Sequence, residues 1–155
     1  MSDLNLASSH STQISLQEIR TGEAGLNAHR QSMLDRVPEI GDWAAFGHES
    51  LELKDLAYLT AKTGHEFAIL RGKTLDILFH GTARNCSFDE PLAELLVKHK
   101  LIIVGHSHPS EDQPIPSNED RDALRKIGQK RSTLISARPG ITVDFGPDRF
   151  EILID

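Results

Sequence analysis

The chain has 155 residues, enough for one domain with a real core but not for two full domains. With 38% hydrophobic and 26% charged residues and no apolar run near the roughly 18 residues of a membrane span, it reads as a soluble globular chain with no membrane partner. A formal net charge of −6 argues against a nucleic-acid partner, because sequence-independent binding to a phosphate backbone depends on clustered Lys and Arg.

In chain order, Met1 to about Thr12 is rich in Ser, Asn and Thr without periodicity, so residues 1–14 are expected to form a flexible tail. The polar start lacks the apolar core of a leader, and the lone Cys86 cannot make an internal disulfide; both fit a cytoplasmic protein. A weak helical pattern runs from Leu16 to about Val37, interrupted by Gly22 and Gly25 and ended by Pro38. We read residues 15–49 as an N-terminal extension and 50–155 as the main domain. Trp43 and Phe46 are expected to anchor a turn against the core.

Ser50 is placed to cap a helix carrying Leu53, Leu56, Ala57 and Leu59, with Gly64 as terminator. Two strands follow, His65 to Leu70 and Thr74 to Phe79, joined through Arg71-Gly72-Lys73 as a hairpin. A helix is predicted over Pro91 to Lys100, then a strand over Leu101 to Gly105 whose four consecutive apolar residues imply a central position. A further helix is expected from Ser117 to about Lys130. Strands Ser132 to Ser136, Ile141 to Phe145 and Phe150 to Ile154 complete the chain. The pattern is an α/β sandwich, a mixed sheet flanked by helices.

The segment Gly105-His106-Ser107-His108-Pro109 carries the chemistry. Side-chain direction repeats every two residues in an extended chain, so His106 and His108 share a face and can meet one ion. A hydrolytic zinc site keeps three protein ligands and leaves a position for water, so one more ligand is needed. Asp120 is the best candidate: Asp120, Leu124 and Ile127 fall on one helical face, at the helix end nearest the strand exit. Glu119 points elsewhere. The plainer alternative is that Ser117 and Asp120 only form a capping box.

At these residues the chain resembles the JAMM/MPN metalloenzyme family, whose motif is a glutamate on an earlier strand, then His-x-His-Pro, a short loop and Ser-x-x-Asp. The resemblance covers Gly64 to Gln129 and implies an MPN-like, cytidine-deaminase-like three-layer sandwich. The loop from Pro109 to Pro116 is one residue longer than the family's usual spacing, which leaves Glu119 at the usual distance from His108. The resemblance implies one zinc ion (Zn2+) per chain held by His106, His108 and Asp120, lowering the pKa of a bound water from about 15.7 towards 7. It makes Glu66 the general base. A carboxylate leading the apolar strand Phe67 to Leu70 is locally inconsistent, which itself points to function. It also gives Ser117 a role as hydrogen-bond donor to the oxyanion, an effect typically worth ~3 kcal/mol.

The other residues read more plainly. His10, His29, His48, His65, His80 and His99 are expected to be surface or hydrogen-bonded histidines, and Cys86 a small, partly buried side chain. Arg121, Arg125, Lys126, Lys130 and Arg131 are expected to form a solvated, salt-bridged face, and Glu111 and Asp112 to be loop acids.

The leading expectation is a zinc metallopeptidase or isopeptidase acting on a protein or peptide partner, trimming the extended tail of a ubiquitin-like protein. The loops are short, which argues against the linkage-reading insertions of larger deubiquitinases. A catalytically silent MPN scaffold is the alternative from a different class. A relative of the DNA-repair-associated JAMM-like proteins is a third.

Overall fold

A computed structural model of the chain describes residues 15–82, 88–109, 115–137 and 141–154. Its strands are β1 (Trp43–Gly47), β2 (Phe67–Arg71), β3 (Leu75–His80), β4 (Ile102–His108), β5 (Ser132–Ser136), β6 (Ile141–Phe145) and β7 (Phe150–Ile154). Its helices are α1 (Leu16–Arg20), α2 (Ala28–Asp35), α3 (Leu53–Thr63), α4 (Glu90–Lys98) and α5 (Asn118–Ile127). The strands form one mixed sheet in the order β1-β3-β2-β4-β5-β6-β7. Every neighbouring pair is antiparallel except β4 and β5, and a parallel pair needs a crossover connection. That crossover contains α5, so the helix following the histidine strand starts beside it.

Alternation along the strands divides the interior into two apolar layers. On one face Phe67, Ile69 and Leu78 meet Leu56 and Leu59 of α3, with Ile19 of α1 and Met33 of α2 in the same cluster. On the other face Ala68, Leu70, Phe79 and Val143 meet Leu92 and Leu96 of α4 and Leu124 of α5. The expected α/β class, a mixed sheet with helices on both sides, therefore forms.

Local chemistry sets the element ends, with some differences from expectation. The cap of α3 is Glu52, in a reciprocal box with Asp55, and not Ser50; Gly64 ends the helix in the left-handed region. Gly128 does the same for α5 at φ 71°, so the helix stops at Ile127 and not near Lys130. The segment from Leu16 to Val37 forms two short helices, because Ser15 and Asn27 each cap a new start. Trp43 and Phe46 lie on edge strand β1, where Phe46 is buried and Trp43 is 41% exposed, so only Phe46 anchors the core. The sheet thus takes an edge strand from residues ahead of position 50. Strand β4 continues through both histidines and lies in mid-sheet, although Ile102 at its start is exposed. The spans of β5, β6 and β7 coincide with those read from the sequence.

Close approach dictates the glycine just ahead of the histidines. A Cβ on Gly105 would lie 2.4 Å from Leu53 Cδ2 and 2.6 Å from the Thr133 carbonyl oxygen, so α3, β4 and β5 converge just ahead of His106. Residues 1–14, which include His10, lie outside the described residues, as do Cys86, Glu111 and Asp112.

Candidate metal centre

His106 and His108 project from the face of β4 that looks towards α5. Their ring centroids lie 5.0 Å apart, and Phe145 meets His106 edge-on at 5.6 Å. Both histidines are buried. Two groups from other elements join them.

The first is Asp120, in the opening turn of α5. The Ser117 hydroxyl accepts the Asp120 N–H at 3.1 Å, and the Ser117 N–H donates to Asp120 Oδ2 at 2.8 Å. The capping box is therefore present, and it aims the carboxylate at the histidines rather than competing with them. Asp120 Oδ2 lies 3.1 Å from His106 Nε2 and 3.4 Å from His108 Nε2. Glu119, one residue earlier on the helix, is exposed.

The second is Glu66, one residue ahead of β2. Its N–H donates to the Thr82 carbonyl and its carbonyl accepts from the Gly81 N–H, which holds it in line with the strand. Alternation puts its side chain on the same face as Ala68 and Leu70, and it is 1% exposed. Glu66 Oε1 stands 3.7 Å from His108 Nε2. The ligand atoms of Glu66, His106 and His108 all lie within 4.8 Å of one another, so this buried group can hold a metal ion.

Electrostatics separate the two carboxylates. Burial pushes Glu66 up to about 7, with Asp120 adding to the rise and His108 opposing it. Burial would raise Asp120 as well, but the neighbouring His106 and His108 and the Ser117 amide hold it well below the usual carboxylate range. Neither oxygen of Glu66 has a hydrogen-bond partner, nor has His106 Nε2, whose approach to Asp120 is close in distance but lacks hydrogen-bond geometry. Buried polar atoms are seldom left unpaired. The nitrogen and oxygen donors of Glu66, His106 and His108, with Asp120 beside both imidazoles, are of a kind that can hold a metal ion.

No protein-family model, curated protein or solved structure matches the chain.

His65 Nδ1 and His80 Nε2 are 2.8 Å apart, His80 Nδ1 is 2.7 Å from the Pro38 carbonyl, and His29 lies 3.1 Å from Asp55. These are hydrogen-bonded histidines outside the cluster. On α5, Arg125 pairs with Asp122 and Asp148 and Lys126 with Glu90, a salt-bridged surface as expected. No helix among the described residues is long and apolar enough to cross a membrane. Two grooves among the described residues, about 450 Å³ between α5 and the β6–β7 turn and about 390 Å³ between α4 and α5, contain none of the four clustered groups. One participant carried no signal in the sequence: Ser107, between the histidines, is fully buried on the opposite face of β4.

Proposed function

We propose that this chain is a zinc-dependent hydrolase of peptide or isopeptide bonds with an MPN-like sandwich, as its resemblance to the JAMM/MPN family implies. The observation that carries the proposal is the buried grouping of Glu66, His106 and His108, with Asp120 against both imidazoles and both Glu66 oxygens unbonded.

His106, His108 and Asp120 would hold the ion, and Glu66 stays outside that set. Zinc, when bound, supplies Lewis acidity that polarises a carbonyl and acidifies water at its open position. Glu66 accepts the proton of the attacking water and returns it to the leaving amine. A general base works best when its proton affinity is close to the working pH, and burial brings Glu66 there. The Ser117 oxygen serves its helix cap only as an acceptor, so its own proton is available to the oxyanion that develops as the amide carbon becomes tetrahedral.

The substrate is an extended protein tail, of the kind that ends a ubiquitin-like protein, held by main-chain hydrogen bonds as an added strand. The acidic balance of the chain fits a protein partner and disfavours nucleic acid.

The test is cleavage of fluorogenic tail peptides and of a ubiquitin-like protein joined to lysine, with and without a chelator. The expected result is chelator-sensitive hydrolysis that Glu66→Gln abolishes. Zinc-loaded protein that cleaves no such bond would overturn the hydrolase reading in favour of a scaffold.

A further inference from the structure

We propose that Ser107 and Thr60 are positioning residues that set the spacing between Glu66 and the histidine strand; this rests on the metal-site reading above. Ser107 alternates with the two histidines, so its side chain leaves β4 on the face opposite the cluster. There it is completely buried, and its Oγ lies 2.6 Å from Thr60 Oγ1 of α3. The same Oγ accepts the Phe67 N–H at 3.0 Å. Phe67 is the residue after Glu66. One hydroxyl therefore joins the helix, the strand bearing both histidines, and the backbone next to the carboxylate.

The pairing of β2 with β4 explains why that hydroxyl matters. Main-chain pairing runs from Arg71↔Ile102 through a register shift between Ile69 and Leu70, and its last pair is Ala68↔His106. The Glu66 main chain bonds to Gly81 and Thr82, past the end of β3. The N–H and carbonyl of Phe67 turn the other way, to β4, where the Ser107 hydroxyl meets them at 3.0 and 3.4 Å. A side chain thus stands where a β4 main-chain group would continue the ladder. The distance from Glu66 to His108 is set by that side chain, and it is one at which the carboxylate approaches the imidazole without bonding to it. The Thr60 hydroxyl at 2.6 Å is much closer to the Ser107 oxygen than the Phe67 carbonyl at 3.4 Å, and either hydroxyl can donate across the shorter contact. Thr60 therefore fixes the Ser107 rotamer.

The experiment is cobalt(II) titration of metal-stripped protein, followed by the visible absorption of the bound ion. Ser107→Ala and Thr60→Val each remove one hydroxyl of the pair. Because Ser107 lies between the two histidine ligands and ties their strand to α3 and β2, both should let His106 and His108 shift, weaken cobalt binding by roughly 10- to 100-fold, as loss of an orienting outer contact does, and alter the absorption spectrum. Thr60→Ser keeps the hydroxyl and should bind like the parent. Met33→Ala makes a cavity elsewhere in the same apolar layer and should lower the melting temperature without changing cobalt affinity. Should Ser107→Ala fail to fold, the near-isosteric Thr60→Val carries the test. Folded variants with the parent's affinity and spectrum would overturn the proposal, as would an equal loss in Met33→Ala. A parent chain that takes up no cobalt would instead remove the metal-site reading on which it stands.

Discussion

Glu66 Oε1 stands 3.7 Å from His108 Nε2, an almost fully buried carboxylate beside an almost fully buried imidazole and beyond hydrogen-bond reach of it. Under the proposed mechanism Glu66 carries the proton and is not itself a ligand. Glu66→Gln keeps the shape and removes the charge, so it should retain zinc while hydrolysis falls by about 10²- to 10⁴-fold. His108→Ala should lose both. Metal content and turnover, measured on the same preparations, check this; unchanged turnover in Glu66→Gln would take that residue out of the base role.

The same burial makes a stability prediction for the metal-free protein. Glu66 binds its proton more tightly when folded, with its pKa raised from 4.5 to about 7. Its contribution is therefore fully present below pH 4.5 and declines as pH rises through that window, by about 3 kcal/mol in all. Asp120 acts oppositely and at lower pH, since its depressed pKa adds stability that is lost only as pH falls below the ordinary carboxylate range. Chemical denaturation between pH 4.5 and 7 should show a falling stability that is much flatter in Glu66→Gln. Identical slopes would contradict this.

Asp120 and Glu119 are neighbours on α5, yet only Asp120 meets the histidines. Asp120→Asn should lose most of the bound metal while keeping the helix, since an amide oxygen can still cap the Ser117 N–H. Glu119→Ala should leave metal content unchanged. Elemental analysis of the two variants decides it, and loss in Glu119→Ala would move the third ligand by one residue.

Gly105 has no room for a side chain, because a Cβ would overlap Leu53 and the Thr133 carbonyl. Backbone is the harder of the two to displace. Gly105→Ala should destabilise the protein by about 1–3 kcal/mol and shift the histidine strand against α3. Denaturation midpoints measure the first effect and cobalt affinity the second.

Much of the sheet was legible because its punctuation is local. Gly146 and Pro147 divide two short apolar runs, which form β6 and β7 with the expected limits. Asp120 was legible as well, since a Ser117 cap followed by a helical apolar stripe puts it at the end of the helix near the histidines. Glu66 rested on its oddity, a charge at the head of an apolar run. The N-terminal stretch was not legible in the same way. Arg20, 1% exposed, donates to the carbonyls of Ser136 and Ile141 on β5 and β6, and no periodicity near residue 20 encodes partners so distant. Trp43 misled because a large aromatic at an edge strand can remain half in solvent. Ser107 was silent because the motif leaves its middle position open, and its partners on α3 and β2 are brought to it only by folding.

The measurement that bears most directly on the central claim is zinc per chain, by elemental analysis of untagged protein purified without added metal. About one zinc per chain is the predicted result, falling towards zero in His108→Ala and Asp120→Asn and persisting in Glu66→Gln. No zinc in the parent, and none taken up on titration, would contradict the account.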